Sequence, residues 1–362
     1  MKVQDWLRNN GGNLELLEKQ LGITHTCHED GRMILNYSQI NSPRNNEIVR
    51  ECRGLVLDSN NDWALVARAF DRFFNVGEFV EEFKFFDFNN CIGYHKEDGS
   101  LLLVYYWNGE WRFNTRGSFG EGEVNYSGIT WKELALKALP QKFLDQALFI
   151  PGLTYVFELC SPHNKIVRTY KEPQVFLLAI FNNRGYEYPY ATVAGEAEEY
   201  GLQMPYVSPF FSIEDVEGYI RLKADEDPTF EGIVLYDGKT RWKIKSPEYL
   251  VLHRMANNGD PCHPKNILPF ILSGELDELL SYFPEVEGQV IDMQAEIDGA
   301  WAEIDNLWYC FHDEPSQKKF ALAIQDCRHK GILFSARKLG VEPKDLFYDL
   351  DYLVKMFKKD NK

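Results

Sequence analysis

Residues 94–106 read YHKEDGSLLLVYY. Glu97, Asp98, Gly99 and Ser100 are turn residues, and Leu101 to Tyr106 is an apolar, aromatic run that favours extended backbone. The pattern predicts a strand, a tight turn and a second strand, with Lys96 at the end of the first. A lysine held there has limited conformational freedom and can be aimed at a ligand. An isolated Lys-x-Asp-Gly is more often a solvated hairpin lysine, so the reading depends on what the rest of the chain supplies.

Working outward, EIVRECRGLVLDSNNDWALVARAFDRFFNVGE (47–78) holds two strands, GLVLD and ALVARAF, joined by a Ser-Asn-Asn-Asp turn. Arg53 precedes the first strand, and Arg72, Phe73 and Phe74 follow the second. MILNYSQI (33–40) reads as a strand. EWRFNTRGS (110–118) reads as another, with Arg112, Asn114 and Arg116 on one face. TYVFELCSPHNKIVRTY (154–170) reads as two strands around Ser-Pro-His-Asn. Glu158 interrupts the apolar pattern of the first. A carboxylate buried there alone would cost several kcal/mol, so it is expected to face a polar cleft. QVFLLAIF (174–181) is a central strand by its continuous apolar character. In FEGIVLYDGKTRWKIK (230–245), two strands flank Asp237-Gly238, a strong hairpin signal. Period two places Lys243 and Lys245 on one face, where two ammonium groups would share an anion or simply face solvent. Glu231 again sits at a strand end.

Helices are expected within 1–22, at 131–148 with an interruption at Pro140, at 192–201 and at 213–223. After the turn-rich NNGDPCHPKN (257–266) the pattern is helical at 267–282, 285–308, about 316–330 and 343–359. The expected fold is α+β, with mostly antiparallel sheets and flanking helices over 1–255 and an all-helical domain over 256–362.

The 362 residues carry 39 Lys and Arg against 55 Asp and Glu, a formal net charge of −16. That weighs against a protein that coats nucleic acid non-specifically, but leaves room for a local cationic groove. No run of 18 apolar residues predicts a membrane helix, and the first residues lack the apolar core of a secretory signal. Seven scattered cysteines without a CxxC pair fit reduced thiols in a cytosol and lack zinc-site spacing. A cytoplasmic location, the host cytosol for a phage-encoded chain, is the expectation.

Lys96, Arg53, Arg72, Arg116, Glu158, Glu231, Lys243 and Lys245 all lie at strand ends or alternate out of apolar faces. One chemistry uses them together: attack of a lysine amine on the α-phosphate of a nucleoside triphosphate. The amine must first lose a proton whose ordinary pKa is about 10.4. Neighbouring cations and a bound metal are expected to lower it, and the same cations would stabilise charge on the phosphate.

The ordered blocks ECRG, KEDGS, the strand ending near Glu158, the run 174–181, FEG and KIK resemble the motifs of the covalent nucleotidyltransferases, which include polynucleotide ligases and mRNA capping enzymes. RFFNVGE, FELCSPHNKIVRTY and EGIVLYDGKTRWKIKS make the chain most similar to the bacteriophage RNA ligase 1 type of ATP-dependent RNA ligase. The resemblance spans residues from about 30 to 255. It implies that Lys96 becomes adenylylated, that Lys243 and Lys245 bind the triphosphate and assist catalysis, and that Glu158 contacts the ribose. It implies that Glu231 and Asp98 hold Mg²⁺ or Mn²⁺, and that Gly99 admits the nucleotide to the backbone. Tyr37, Arg53, Arg72, Phe74 and Arg116 complete the implied ATP site; the family often has lysine where Arg72 and Arg116 stand. An aromatic ring should stack on adenine, but the sequence does not identify which.

The implied reaction joins 5′-phosphate and 3′-hydroxyl ends of single-stranded RNA through lysyl-AMP and RNA-adenylate. The implied context is RNA repair, with a cleaved tRNA anticodon loop bound through the helical domain, and a monomeric enzyme. Two alternatives stand beside it: another covalent nucleotidyltransferase, either a DNA ligase or a capping enzyme, and an inactive module that binds RNA ends.

Overall fold

In the computed structural model, the described residues are all except 39–41, 126, 148–151, 258–262, 274–279, 281–285 and 359–362. They form two compact units, residues 1–250 and 251–362.

The first unit contains three sheets. Strands β1 (Ile23–Cys27), β2 (Arg32–Tyr37), β3 (Arg53–Asp58) and β4 (Ala64–Ala67) form an antiparallel meander in that order. A five-stranded sheet combines β5 (Phe74–Asn75) and β6 (Ile92–His95) with β11 (Val207–Pro209), β12 (Gly232–Tyr236) and β13 (Arg241–Lys245), in the order β11-β6-β12-β13-β5. Only the β13–β5 pairing in it is parallel. The remaining sheet has the order β10-β9-β7-β8, from β7 (Ser100–Trp107), β8 (Glu110–Thr115), β9 (Thr154–Cys160) and β10 (Gln174–Phe181).

Alternation along β7 explains why its sheet is buried on both faces. Leu102 and Val104 pack with Phe143, Tyr155 and Phe157 beneath the helices Trp131–Ala138, Gln141–Gln146 and Tyr190–Tyr200. Leu103 and Tyr105 point the other way, against Ile34 and Val56 of the meander. The helices Lys2–Asn9 and Leu14–Leu21 cover the meander's outer face through Leu7 and Leu17. Val216 and Ile220 of the helix Ile213–Glu226 close the five-stranded sheet together with Phe86.

The 94–106 stretch departs from the expected hairpin. β6 pairs with β12, whereas β7 pairs with β8 and β9, so the segment 96–99 crosses from one sheet to another. Both flanking strands find better partners elsewhere, and Lys96 is thereby placed where two sheets diverge. The expected second strand within 154–170 does not form. Residues 165–170 run irregularly, because the amides of Val167 and Arg168 bond to a side chain, Asp98, instead of to a ladder. The helix Lys330–Leu339, the strand β1 and the short helix Glu47–Glu51 lay outside the sequence reading.

In the second unit every described element is helical: the end of Pro247–Asn257, then Pro264–Ser273, Glu287–Phe311, Gln317–Ala323, Lys330–Leu339, Pro343–Phe347 and Leu350–Lys358. Val290, Met293, Ile297, Ala300 and Ile304 repeat every three or four residues along the longest helix and form its buried stripe. They pack with Ile267, Phe320, Leu333 and Phe347. The expected helices at 267–282, 285–308 and 343–359, like the strand expected to reach residue 40, extend in part outside the described residues. Among the described residues no helix is long and apolar enough to cross a membrane.

Candidate active site

Register alone brings the two informative sequence regions together. β6 lies antiparallel to β12 with His95 opposite Ile233, and the Lys96 amide donates to the Gly232 carbonyl at 2.9 Å. β12 in turn pairs with β13, placing Gly232 opposite Lys245 and Val234 opposite Lys243. Glu231 is the residue before β12. Its carboxylate is 4% exposed and bridges two ammonium groups: Lys96 Nζ is 2.8 Å from Oε2 and Lys245 Nζ is 2.8 Å from Oε1.

Gly232 makes this approach possible. Its φ is +137°, and a Cβ there would lie 2.1 Å from the Ile244 carbonyl oxygen. Gly99 lines the cleft at Lys96 and also answers a packing need. A Cβ at Gly99 would lie 2.4 Å from the Leu159 carbonyl oxygen, so the close neighbour it accommodates is β9.

Asp98 is reassigned. It is 3% exposed, with Oδ2 accepting from the amides of Val167 and Arg168 at 2.8 and 2.6 Å and Oδ1 accepting from the Tyr249 hydroxyl at 2.7 Å. With both oxygens engaged in holding the 161–172 loop and Tyr249, Asp98 is a strut beneath Lys96 rather than a free metal donor. Glu231 is likewise engaged on both oxygens, by the two ammonium groups, so a hard cation would have to displace one of them. Among the described residues no group of three or more His, Cys, Asp or Glu could hold a metal.

Charge around Lys96 has the opposite sign to the expectation. Burial disfavours its ammonium, but the negative charges of Glu231, Glu158 and Asp98 more than offset that and raise its proton affinity above the ordinary value. Lys243 behaves the other way. Burial, reinforced by the ammonium groups of Lys245 and Lys96 and by Arg53, lowers it to about 8. Glu158 is raised to about 7, chiefly by burial, with Lys96 opposing and Glu231 adding to the rise.

A cluster of arginines lies at the end of the meander. The guanidinium of Arg72 stands 4.1 Å from the centre of the Tyr37 ring, and that of Arg116 stands 4.3 Å from it. Arg116 is fixed through Asn36, whose Nδ2 donates to the Arg116 carbonyl at 2.6 Å while its Oδ1 accepts from the Gly54 amide at 2.9 Å. Arg53 rests over Phe73 at 5.2 Å. One buried amino group on each of Arg53 and Arg72 has no hydrogen-bond partner among the described residues. Unpaired buried donors are costly and call for an acceptor. Burial also lowers the proton affinity of Arg53, with Tyr37 opposing and Arg116 assisting.

Phe74 departs from its expected place at the nucleotide. It is 5% exposed, packs 4.4 Å from Phe79 and lies under Arg50 and Arg72, so it supports the cations from the core. The apolar pocket beside Lys96 is instead walled by Phe70, Phe73, Tyr94, Leu101, Leu178 and Val234, with Arg53, His95, Glu97, Glu158 and Arg241 completing its lining. Apolar walls with a few polar groups suit the ring of a nucleoside. Of its walls, Phe70, Tyr94, Leu178 and Val234 were read only as strand residues. Alternation would have put Leu178 and Glu158 on the inner sides of their strands, but no sequence signal pairs those strands with β6. Asn36 carried no signal at all.

The arrangement is a lysine at a strand end, a carboxylate shared with a second lysine, a third lysine that no carboxylate pairs among the described residues, arginines of which Arg53 and Arg72 each keep one unpartnered amino group, and an adjoining apolar pocket. Chemically it can bind a polyanion with an attached ring and present an amine to it.

A family model described as RNA ligase matches residues 51–249. A protein named as a bifunctional polynucleotide kinase/RNA ligase in Autographa californica nuclear polyhedrosis virus is 33% identical over 305 residues, covering 78% of this chain. This chain spans 42% of that relative's length. An RNA ligase of Rhodothermus phage RM378 is 22% identical, covering 81% of this chain and 82% of the phage protein. Among solved structures, an archaeal ATP-dependent RNA ligase superimposes with a TM-score of 0.52 at 16% identity, covering 81% of this chain and 80% of that one, a likeness of fold. The match across 51–249 takes in the Lys96, Glu158, Glu231 and Lys243–Lys245 blocks together, and the chain belongs to the RNA ligase family of the phage RNA ligase 1 type.

Proposed function

We propose that the protein is an ATP-dependent RNA ligase that works through a lysyl-AMP intermediate on Lys96. The observation that carries this reading is the Glu231 carboxylate held between Lys96 and Lys245, because it fixes a nucleophile and a phosphate-binding cation on one anionic pivot.

The adenosine occupies the apolar pocket, with Glu158 reaching the ribose. The triphosphate lies among Lys243, Lys245, Arg53, Arg72 and Arg116, where it satisfies the unpaired arginine donors. Lys96 attacks the α-phosphorus and pyrophosphate leaves. The AMP then passes to the 5′-phosphate of an RNA strand, and a 3′-hydroxyl displaces it to join the ends.

In the absence of nucleotide, Glu231 keeps Lys96 protonated and unreactive. The hard oxygens of Glu231 fit Mg²⁺ or Mn²⁺, with the other positions left to water and phosphate. A divalent cation held by Glu231 would supply positive charge that offsets the carboxylate and so would lower the proton affinity of Lys96. Lys245, released from Glu231, turns to the α-phosphate and stabilises its developing charge. The finer context is RNA repair in the cytosol by a monomer, with residues 256–362 reading the RNA, a cleaved tRNA anticodon loop among the candidates.

ATP labelled on the α-phosphate should leave acid-labile label on the protein, with pyrophosphate released. Lys96→Ala should take up none. Label retained in full by that variant would end the proposed mechanism.

A further inference from the structure

A second, open cleft runs from Lys96 and Glu158 between the ends of β7 and β8 and the indole of Trp131. It shares Arg53, Lys96, Leu101 and Glu158 with the apolar pocket, so the two clefts meet at the reactive amine. Arg116 and Thr115 line it but do not line the apolar pocket.

Trp131 is mounted rigidly. It is the first residue of the helix Trp131–Ala138, whose start is fixed by the reciprocal bonds of Thr130 and Glu133, at 2.8 Å and 3.2 Å between amide and side chain. Its own amide donates to the Gly122 carbonyl at 3.0 Å. The side chain is half-buried against the helix-covered face of the central sheet. Among the described residues no other aromatic ring stacks on its indole and no cation lies over it, although most large aromatics of this unit have such a partner.

In-line displacement at phosphorus puts the entering and leaving groups on opposite sides. When Lys96 enters, pyrophosphate leaves from the side across from its nitrogen. When Lys96 later leaves, the RNA phosphate must enter from that same side. The cations suited to pyrophosphate include Arg53 and Arg116, and both line the second cleft. With the apolar pocket filled by adenosine, the second cleft, which holds Lys96 together with Arg53 and Arg116, is the one placed to take the nucleoside attached to that RNA phosphate. Single-stranded RNA ends are commonly held by a base stacked on an aromatic side chain.

We propose that this cleft receives the 5′-terminal nucleotide of the RNA strand that accepts AMP, its base on Trp131 and its 5′-phosphate on Arg116 and Arg53. This rests on the ligase reading above. In the transfer, a phosphate oxygen of the RNA bonds to the AMP phosphorus as the phosphorus–nitrogen bond to Lys96 breaks. The electron pair returns to the Lys96 nitrogen, which takes up a proton.

The test is binding of a short single-stranded RNA, labelled at its 3′ end, to the full chain by fluorescence anisotropy, with a 5′-phosphate or a 5′-hydroxyl. The wild type should prefer the 5′-phosphate. Trp131→Leu should weaken binding of the phosphorylated RNA about tenfold, the scale of one lost base stack, and Trp131→Phe should restore most of it. Uptake of label from ATP by each variant reports that the nucleotide pocket is folded. Equal RNA affinity in the wild type and Trp131→Leu overturns the proposal, as does a 5′-hydroxyl RNA bound as tightly as the phosphorylated one. Failure of the wild type to take label from ATP would count against the ligase mechanism instead, and the binding comparison would still decide the role of Trp131.

Discussion

Lys243 and Lys245 differ by two positions and face the same way, yet their electrostatic situations are opposite. Lys245 is paired with Glu231, whereas Lys243 is half-buried beside Lys245, Lys96 and Arg53 and is lowered to about 8. An arriving polyphosphate would replace that repulsion with attraction and raise the proton affinity of Lys243 again. Binding of ATP at about pH 8.5 should therefore draw a proton from the buffer, because the free protein holds less than a full proton there and the complex holds more. Calorimetry in buffers of different ionisation enthalpy measures that proton. The uptake should fall off below about pH 7, where Lys243 is already protonated in the free protein. Lys243→Met should abolish most of it; an unchanged uptake in that variant would place the titrating group elsewhere.

At the scale of elements, the site depends on how closely β12 passes β13 at one point. Gly232 has φ +137° and faces the Ile244 carbonyl where a Cβ would stand 2.1 Å away. Gly232→Ala must therefore either shift β13 or abandon the approach, and either outcome separates Glu231 from Lys245. A loss of stability of at least about 2 kcal/mol is expected from strain at such a position. Urea unfolding of the variant should show it, and a midpoint equal to the wild type's would remove the argument.

The same elements show what the sequence could and could not convey. Strand identities around Lys96, Glu231 and Lys243 followed from period-two patterning, and Asp237-Gly238 marked the β12–β13 hairpin, although its loop is the four residues 237–240 and the register, Tyr236 opposite Arg241, was not legible from it. The separation of β6 from β7 into different sheets did not follow, because the local signal of Glu97-Asp98-Gly99-Ser100 is that of a hairpin and the competing partners are distant in sequence. The anchoring bonds of Asp98 and the packing of Gly99 against β9 were not legible for the same reason. Their neighbours, Val167, Tyr249 and Leu159, come near only through tertiary structure, and an acid beside a reactive lysine looks the same in sequence whether it ties down a loop or faces a ligand. Phe74 and Phe73 are adjacent aromatics that only strand pairing sorts, one into the core and the other into the pocket.

At the scale of the whole molecule, a formal charge of −16 surrounds a site built from lysines and arginines. The two act over different ranges. The net charge repels a nucleic acid at a distance and is screened within a Debye length, about 10 Å at 0.1 M salt. Contacts to Arg53 and Arg116 would release condensed counterions from the strand, making affinity fall as salt rises, with a slope near 0.7 per phosphate contact for a single strand. If RNA is held by this local cleft, the contact effect should dominate. Affinity for a 5′-phosphorylated single-stranded RNA should then decrease between about 50 and 200 mM salt despite the acidic chain, with a shallow slope set by a few phosphates. Arg116→Met should reduce that slope by about one contact's share, or about 0.7. Anisotropy titrations across the salt series measure both. Affinity that climbs with salt in the wild type would mean that screening of the global charge outweighs the cleft, and RNA binding by these cations would have to be abandoned.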